Sequence, residues 1–135
     1  GGLGEIGGNM AVLETETTAI VIDVGMSFPD ETMHGVDILV PDFSYLHALK
    51  GKKDVYIIIT HGHEDHTGAI RHVMEHIKAP VYATSLTRGL VEVKLSRGGL
   101  LDQVILNTVQ AGDTVQIGPF KVEFFHVCHS IPDSV

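Results

Sequence analysis

The stretch Thr60-His61-Gly62-His63-Glu64-Asp65-His66-Thr67 constrains this chain more than any other, because it packs three imidazoles and two carboxylates into residues 61–66. The run before it, residues 54–59, is apolar and rich in β-branched side chains, which predicts a buried strand. After it, Ile70, Val73, Met74 and Ile77 recur at i, i+3, i+4 and i+7, which predicts an amphipathic helix over 67–77. The polar cluster therefore falls in a loop at the carboxyl end of a strand, where open α/β sheets hold their ligands.

On a helix, His61 and His63 would point to opposite sides. On a strand they share a face, but His66 is then turned away. A tight loop lets the side chains converge, and Gly62 lowers its steric cost. Neutral imidazole nitrogens and carboxylate oxygens are the ligands zinc accepts. The spacing predicts two sub-sites, with His61 and His63 on one ion, Asp65 and His66 beginning a second, and the ions roughly 3.5–4 Å apart as in two-metal hydrolytic sites. A helix N-terminus behind His66 adds a positive dipole end. The plain alternative is a solvated loop, but four potential ligands between a buried strand and a helix argue against it. The nitrogen-rich set favours zinc, and manganese also tolerates it.

A first ion on His61 and His63 needs a third ligand. His129 leaves a strand end beside the turn at Pro132, and we assign it that place. Cys128 should then face the other way as a small buried residue. His126 shares the parity of Cys128 and reads as structural. His72 and His76 lie four apart with no third ligand near, and read as exposed.

Gly2-Leu3-Gly4-Glu5-Ile6-Gly7 spells a dinucleotide-binding pattern, but such a pattern needs a strand before it and a helix after it. Residues 10–23 are instead strand-like, with a hairpin turn at Glu16-Thr17-Thr18, so the glycines read as a loop at a site mouth or a turn. Asp23, at the end of the second strand, either orients an imidazole or forms a strand-end turn with its own backbone. Further expectations are a short strand over 36–40 and a helix over 41–50 with Phe43, Leu46 and Leu49 on one side. A strand over 81–83 leads into a helix over 85–96 carrying Leu86, Leu90 and Val93. A strand over 103–108 and a hairpin about Gly118-Pro119, with a second arm over 120–127, complete the pattern. Lys50, Lys52 and Lys53 read as a solvated turn. The whole is one α/β unit with a mixed sheet.

The net charge of −8 argues against binding nucleic acid by bulk charge. Bound divalent ions would reverse that locally. A single cysteine excludes an internal disulfide and fits a reducing, cytoplasmic setting. No apolar run approaches a membrane span. The opening on Gly1 and the end at Ser134-Val135 both suggest that the chain continues.

His61-Gly62-His63-Glu64-Asp65-His66 resembles the H-x-H-x-D-H signature of the metallo-β-lactamase superfamily. Gly2 to Gly7 with Asn9-Met10, and His129-Ser130-Ile131-Pro132-Asp133-Ser134, are similar to the β-CASP branch, and closely similar to its ribonuclease J family. Asp23-Val24-Gly25 with Phe28-Pro29, and Gly35-Val36-Asp37 with Pro41-Asp42, share the likeness. The resemblance implies the N-terminal half of an αββα sandwich, a partial lactamase domain over 1–135. It implies His61, His63 and His129 on one zinc, Asp65 and His66 on the other as the catalytic pair, and Asp23 behind them. It further implies 5′→3′ exonuclease and endonuclease action on RNA, preference for 5′-monophosphate ends, dimers or tetramers, and a place in RNA decay. The family's bridging aspartate, last histidine ligand and β-CASP domain are not among residues 1–135, so this stretch alone is expected to be inactive. Ser130 and Ser134 either contact a phosphate or cap the turn around Pro132. Another hydrolase on the same cradle (thioesterase, glyoxalase or lactamase type) and a non-catalytic RNA-binding subunit are the alternatives.

Overall fold

A computed structural model describes residues 7–27, 31–37, 39 and 42–135. The glycine-rich opening up to residue 6, Phe28-Pro29, Pro41 and part of the strand expected over 36–40 lie outside the described residues.

Strands β1 (Ala11–Glu14) and β2 (Thr18–Ile22) form an antiparallel hairpin, with Ala11 opposite Ile22. Strands β3 (Asp54–Ile58), β4 (Val81–Thr84) and β5 (Leu106–Val109) add to β2 in parallel, in the order β1-β2-β3-β4-β5. Parallel neighbours need crossovers. Helix α1 (Ser44–Leu49) lies between β2 and β3, α2 (Glu64–Thr67) and α3 (Ile70–His76) between β3 and β4, and α4 (Ser85–Arg97) between β4 and β5. The carboxyl ends of β2, β3 and β4 therefore share one edge of the sheet. Asp23, the segment from Thr60 to His66, and the start of α4 all emerge there.

Side-chain alternation divides the molecule into layers. Ala19, Val21, Ile57, Ile59, Val81 and Ala83 face the helices and are buried with Leu46, Ile70, Val73, Met74, Val91 and Leu95. Ile20, Ile58 and Val109 face the other way, against Ile117 and Phe124. Ile117 belongs to a separate hairpin, β6 (Thr114–Ile117) and β7 (Phe120–Glu123), closed at Gly118 with φ +55°, and Phe124 comes directly after it. Each fully buried aliphatic side chain contributes about 1.5–3 kcal/mol, so both layers hold the sheet that carries the site. No helix among the described residues is long and apolar enough to cross a membrane.

The structure corrects four expectations. The helix expected over 67–77 is two pieces, and its first turn begins at Glu64. Asp65 and His66 thus stand on a helical turn rather than in a loop, anchored by His66 and Thr67 N–H groups on the His63 carbonyl, both at 2.9 Å. The break falls at Gly68, where a Cβ would collide with the side chain of Met26. Helix α4 buries Thr87, Val91 and Leu95, whereas Leu86, Leu90 and Val93 are 44%, 36% and 50% exposed. The sequence pattern misses this face because it counts only apolar residues. Thr87 goes inside because its hydroxyl meets that of Thr84 at 3.3 Å. The strand expected over 103–108 is present but starts later, at Leu106, after a 3-10 turn at Leu101–Gln103. Strand β7 stops at Glu123, so the strand alternation used to bury Cys128 does not reach it, and Cys128 is exposed.

Candidate metal centre

One carboxylate organises the first imidazoles. Asp23 leaves β2 with φ +62°, a left-handed conformation that is costly for a residue with a Cβ. Its N–H still donates to the Ile58 carbonyl at 2.8 Å, and the residue is 5% exposed. The carboxylate makes no turn with its own backbone. Its Oδ1 accepts the Thr60 N–H at 2.8 Å, and its Oδ2 accepts from His66 Nδ1 at 2.6 Å. The Thr60 hydroxyl also donates to Oδ2, at 2.8 Å.

The tautomers follow from this arrangement. The single Thr60 hydroxyl proton is committed to Asp23, so Thr60 Oγ1 accepts from His61 Nδ1 at 3.0 Å. With Nδ1 carrying the proton, His61 Nε2 is left with its lone pair, and that atom is buried without a hydrogen-bond partner. His66, with Nδ1–H on Asp23, likewise presents a bare Nε2 in its neutral form. Orienting a ligand nitrogen through the other ring nitrogen is how metal-binding histidines are commonly held.

Electrostatics separate the two rings. Burial lowers the pKa of His61 to about 4, helped by the neighbouring His66 and His129 rings, so it is neutral at pH 7. Burial also works against charge on His66, but the hydrogen bond to Asp23 and the charges of Asp23 and Asp65 outweigh it and raise its pKa. A proton and a cation therefore compete for His66 Nε2.

His61 is the hub. Its ring centroid lies 5.0 Å from that of His63, 3.9 Å from His66 and 4.3 Å from His129, and His63 and His129 are 4.7 Å apart. Two trios have ligand atoms within 4.8 Å of one another: His61, His63 and His129, and His61, Asp65 and His66. His61 thus belongs to both trios, which the spacing alone does not suggest. Gly62 lies between the first two rings, where a Cβ would displace the tip of the Leu90 side chain and crowd Ile131.

His129 arrives on a loop that is stitched to the sheet edge. Val135 N–H donates to the Thr60 carbonyl at 3.0 Å, and the Thr84 hydroxyl to the Asp133 carbonyl at 2.8 Å. Asp133 Oδ2 accepts the Leu86 N–H at 3.0 Å in the first turn of α4. Ser134 is fully buried and its hydroxyl donates to the Ile131 carbonyl at 3.0 Å, so it closes the turn instead of facing a phosphate. Ser130 is exposed, with its hydroxyl 3.3 Å from His129 Nδ1. Cys128, His126, His72 and His76 join neither trio.

Sequence reasoning overlooks two participants. Thr60 enters it only as the edge of the motif. Asn9 enters it without a role, yet its side-chain nitrogen lies 3.0 Å from Asp65 Oδ2 and 3.2 Å from His66 Nε2. Nothing local points to Asn9, since its partners are 56 and 57 positions away. The donor set of imidazoles and a carboxylate around an orphaned buried nitrogen fits a divalent cation. His61, His63 and His129 would hold one ion and His61, Asp65 and His66 could hold another.

Comparison with known proteins supplies the rest. Residues 3–126 match the family described as the Metallo-beta-lactamase superfamily. The chain is 50% identical over 135 residues to ribonuclease J of Helicobacter pylori, covering 99% of this chain and 19% of that protein. It is 36% identical to ribonuclease J2 of Bacillus subtilis, covering 100% of this chain and 24% of that one. It thus spans about a fifth to a quarter of the curated relatives it matches. Among solved structures, a diphosphatase from the PhnP family superposes with TM-score 0.57 at 18% identity, over 85% of this chain and 41% of that one. MEM-A1, a subclass B3 metallo-beta-lactamase from a soil metagenome library, superposes with TM-score 0.54 at 22% identity, over 86% of this chain and 45% of that one. These two likenesses concern the fold.

Proposed function

The chain belongs to the metallo-beta-lactamase superfamily, and on that premise we propose that it carries part of the metal centre of a ribonuclease hydrolysing RNA phosphodiester bonds. The observation that carries the hydrolytic reading is the convergence of His129 with His61 and His63, at 4.3 and 4.7 Å between ring centroids. RNA as the substrate rests on the ribonuclease J relatives, at 50% and 36% identity across the same stretch. When bound, two divalent cations supply the acidity that makes water a nucleophile near neutral pH and positive charge beside the attacked phosphate.

This chain's own residues supply the setting. Asp23 and Thr60 fix the tautomers that leave His61 and His66 able to ligate. His63 and His129 complete the first sub-site, and Asp65 brings negative charge to the second. The exposed hydroxyl of Ser130, next to His129, is placed to donate to a phosphate oxygen. Zinc is the metal the nitrogen-rich set favours, with manganese as the second choice. In the same reading the full-length protein acts from 5′-monophosphate ends and internally, assembles as dimers or tetramers, and works in cytoplasmic RNA decay.

The test offers the full-length, metal-replete protein three substrates: RNA with a 5′-monophosphate, a thioester and a β-lactam. RNA cleavage is the expected result, and turnover of either small substrate with RNA left intact overturns the reading. Asp65→Asn should reduce cleavage by roughly 10²-fold or more while RNA binding is retained. Unchanged cleavage would remove Asp65 from the centre.

A further inference from the structure

The segment around Asn9 grips the metal turn through its backbone. Asn9 N–H donates to the Asp65 carbonyl at 2.9 Å, and the Asn9 carbonyl accepts the Gly25 N–H at 2.9 Å. On either side, Gly8 N–H reaches the Met26 carbonyl at 3.0 Å, Met26 N–H the Glu64 carbonyl at 3.1 Å, and Val24 N–H the His66 carbonyl at 2.8 Å. The segments pack so closely that a Cβ on Gly25 would overlap the Asp65 carbonyl. The backbone therefore holds Asn9 in place whatever its side chain.

That side chain is aimed at the centre. An amide NH2 has two protons, and the two acceptors within reach are Asp65 Oδ2 at 3.0 Å and His66 Nε2 at 3.2 Å. Asp65 is a pure acceptor when ionised. His66 Nε2 is the ring nitrogen left for an ion, because Nδ1 is held by Asp23. Its one lone pair cannot serve a cation and the amide together, so of the two contacts the one to Asp65, whose oxygen has further lone pairs, persists beside a bound ion. The carboxylate and imidazole atoms are themselves 3.4 Å apart. The amide thus holds Asp65, which belongs to the second trio and not the first, and it touches neither His63 nor His129 among the described contacts.

We propose that Asn9 is the positioning residue of the second metal sub-site: its amide orients the Asp65 carboxylate, and so sets the affinity for the second ion alone. The inference rests on the two-ion reading of the centre. Groups that orient a metal ligand by a hydrogen bond change metal affinity by roughly 10–100-fold when removed. The effect belongs to one sub-site because Asn9 contacts only its ligands.

The experiment counts metal ions per chain by equilibrium dialysis of the full-length protein against zinc, and separately against manganese, and derives both stepwise affinities. The wild type, Asn9→Ala, Asn9→Leu (similar in size, without N–H donors) and His66→Ala are compared. Both Asn9 variants should weaken the second binding step by roughly 10–100-fold and leave the first within about twofold, reproducing in part the loss seen in His66→Ala. Thermal unfolding of the metal-free variants checks that the fold persists, as the backbone bonds of Asn9 require. Two wild-type ions with both steps unchanged in Asn9→Ala and Asn9→Leu overturn the proposal, as does equal weakening of both steps. A wild type that binds fewer than two ions refutes the two-ion reading itself and is distinguishable from either result.

Discussion

Asp23 reaches two imidazoles at once, directly at His66 Nδ1 and through the Thr60 hydroxyl at His61. The two rings nevertheless titrate in opposite directions, which makes their contributions to stability separable. His61 falls from its ordinary 6.5 to about 4 on folding. Between those values the unfolded chain binds the proton more readily, so stability present above pH 6.5 is lost as pH falls toward 4. His66 is raised, so its contribution is complete below its ordinary value and fades as pH rises through the folded one. In chelator-treated full-length protein, urea midpoints measured from about pH 8 to about pH 4 should show His61→Ala flattening the acid-side decline. His66→Ala should instead remove loss on the neutral side. The candidate ligands are legible in the sequence because His61, His63, Asp65 and His66 are crowded between two strongly patterned elements. Thr60 and Asn9 are not, because a hydroxyl and an amide become informative only once distant strands place them against the cluster.

Helix α4 shows where periodicity misleads at the scale of an element. Leu86, Leu90 and Val93 form an apolar stripe, yet the buried face is Thr87, Val91 and Leu95. The pairing of Thr87 with Thr84 decides the matter by removing the cost of burying a hydroxyl. Leu90 has a local task instead, packing over Gly62 between two metal-site histidines. Substitutions should expose the difference in urea or thermal unfolding of the full-length protein. Leu95→Ala is expected to cost about 2–5 kcal/mol, and Val93→Ala less than about 0.5 kcal/mol. Helix α3 is readable without error on its packing face, since Ile70, Val73, Met74 and the adjoining Ile77 are all buried. There the apolar stripe has no polar rival. The break before it comes where Ala69 N–H leaves the helical pattern for the Val24 carbonyl at 2.9 Å, a partner no local pattern contains.

The molecule as a whole joins pieces that are far apart along the chain. Asn9 bonds Asp65 across 56 positions, Asp23 bonds His66 across 43, and Asp133 bonds Leu86 across 47. The general position of the site is readable from the sequence pattern, but these closures are not. They carry a temporal consequence. Bringing such remote segments together costs loop-closure entropy before any contact rewards it, and chains dominated by distant contacts fold slowly. The cation cradle should therefore be among the last parts to mature. In stopped-flow refolding of the full-length protein, far-ultraviolet dichroism should recover first and cobalt(II) absorption only in a later phase, with cobalt capture in the dead time as the contrary outcome. A newly made chain would accordingly acquire its ions after collapse, as a finishing event and not as the seed of folding.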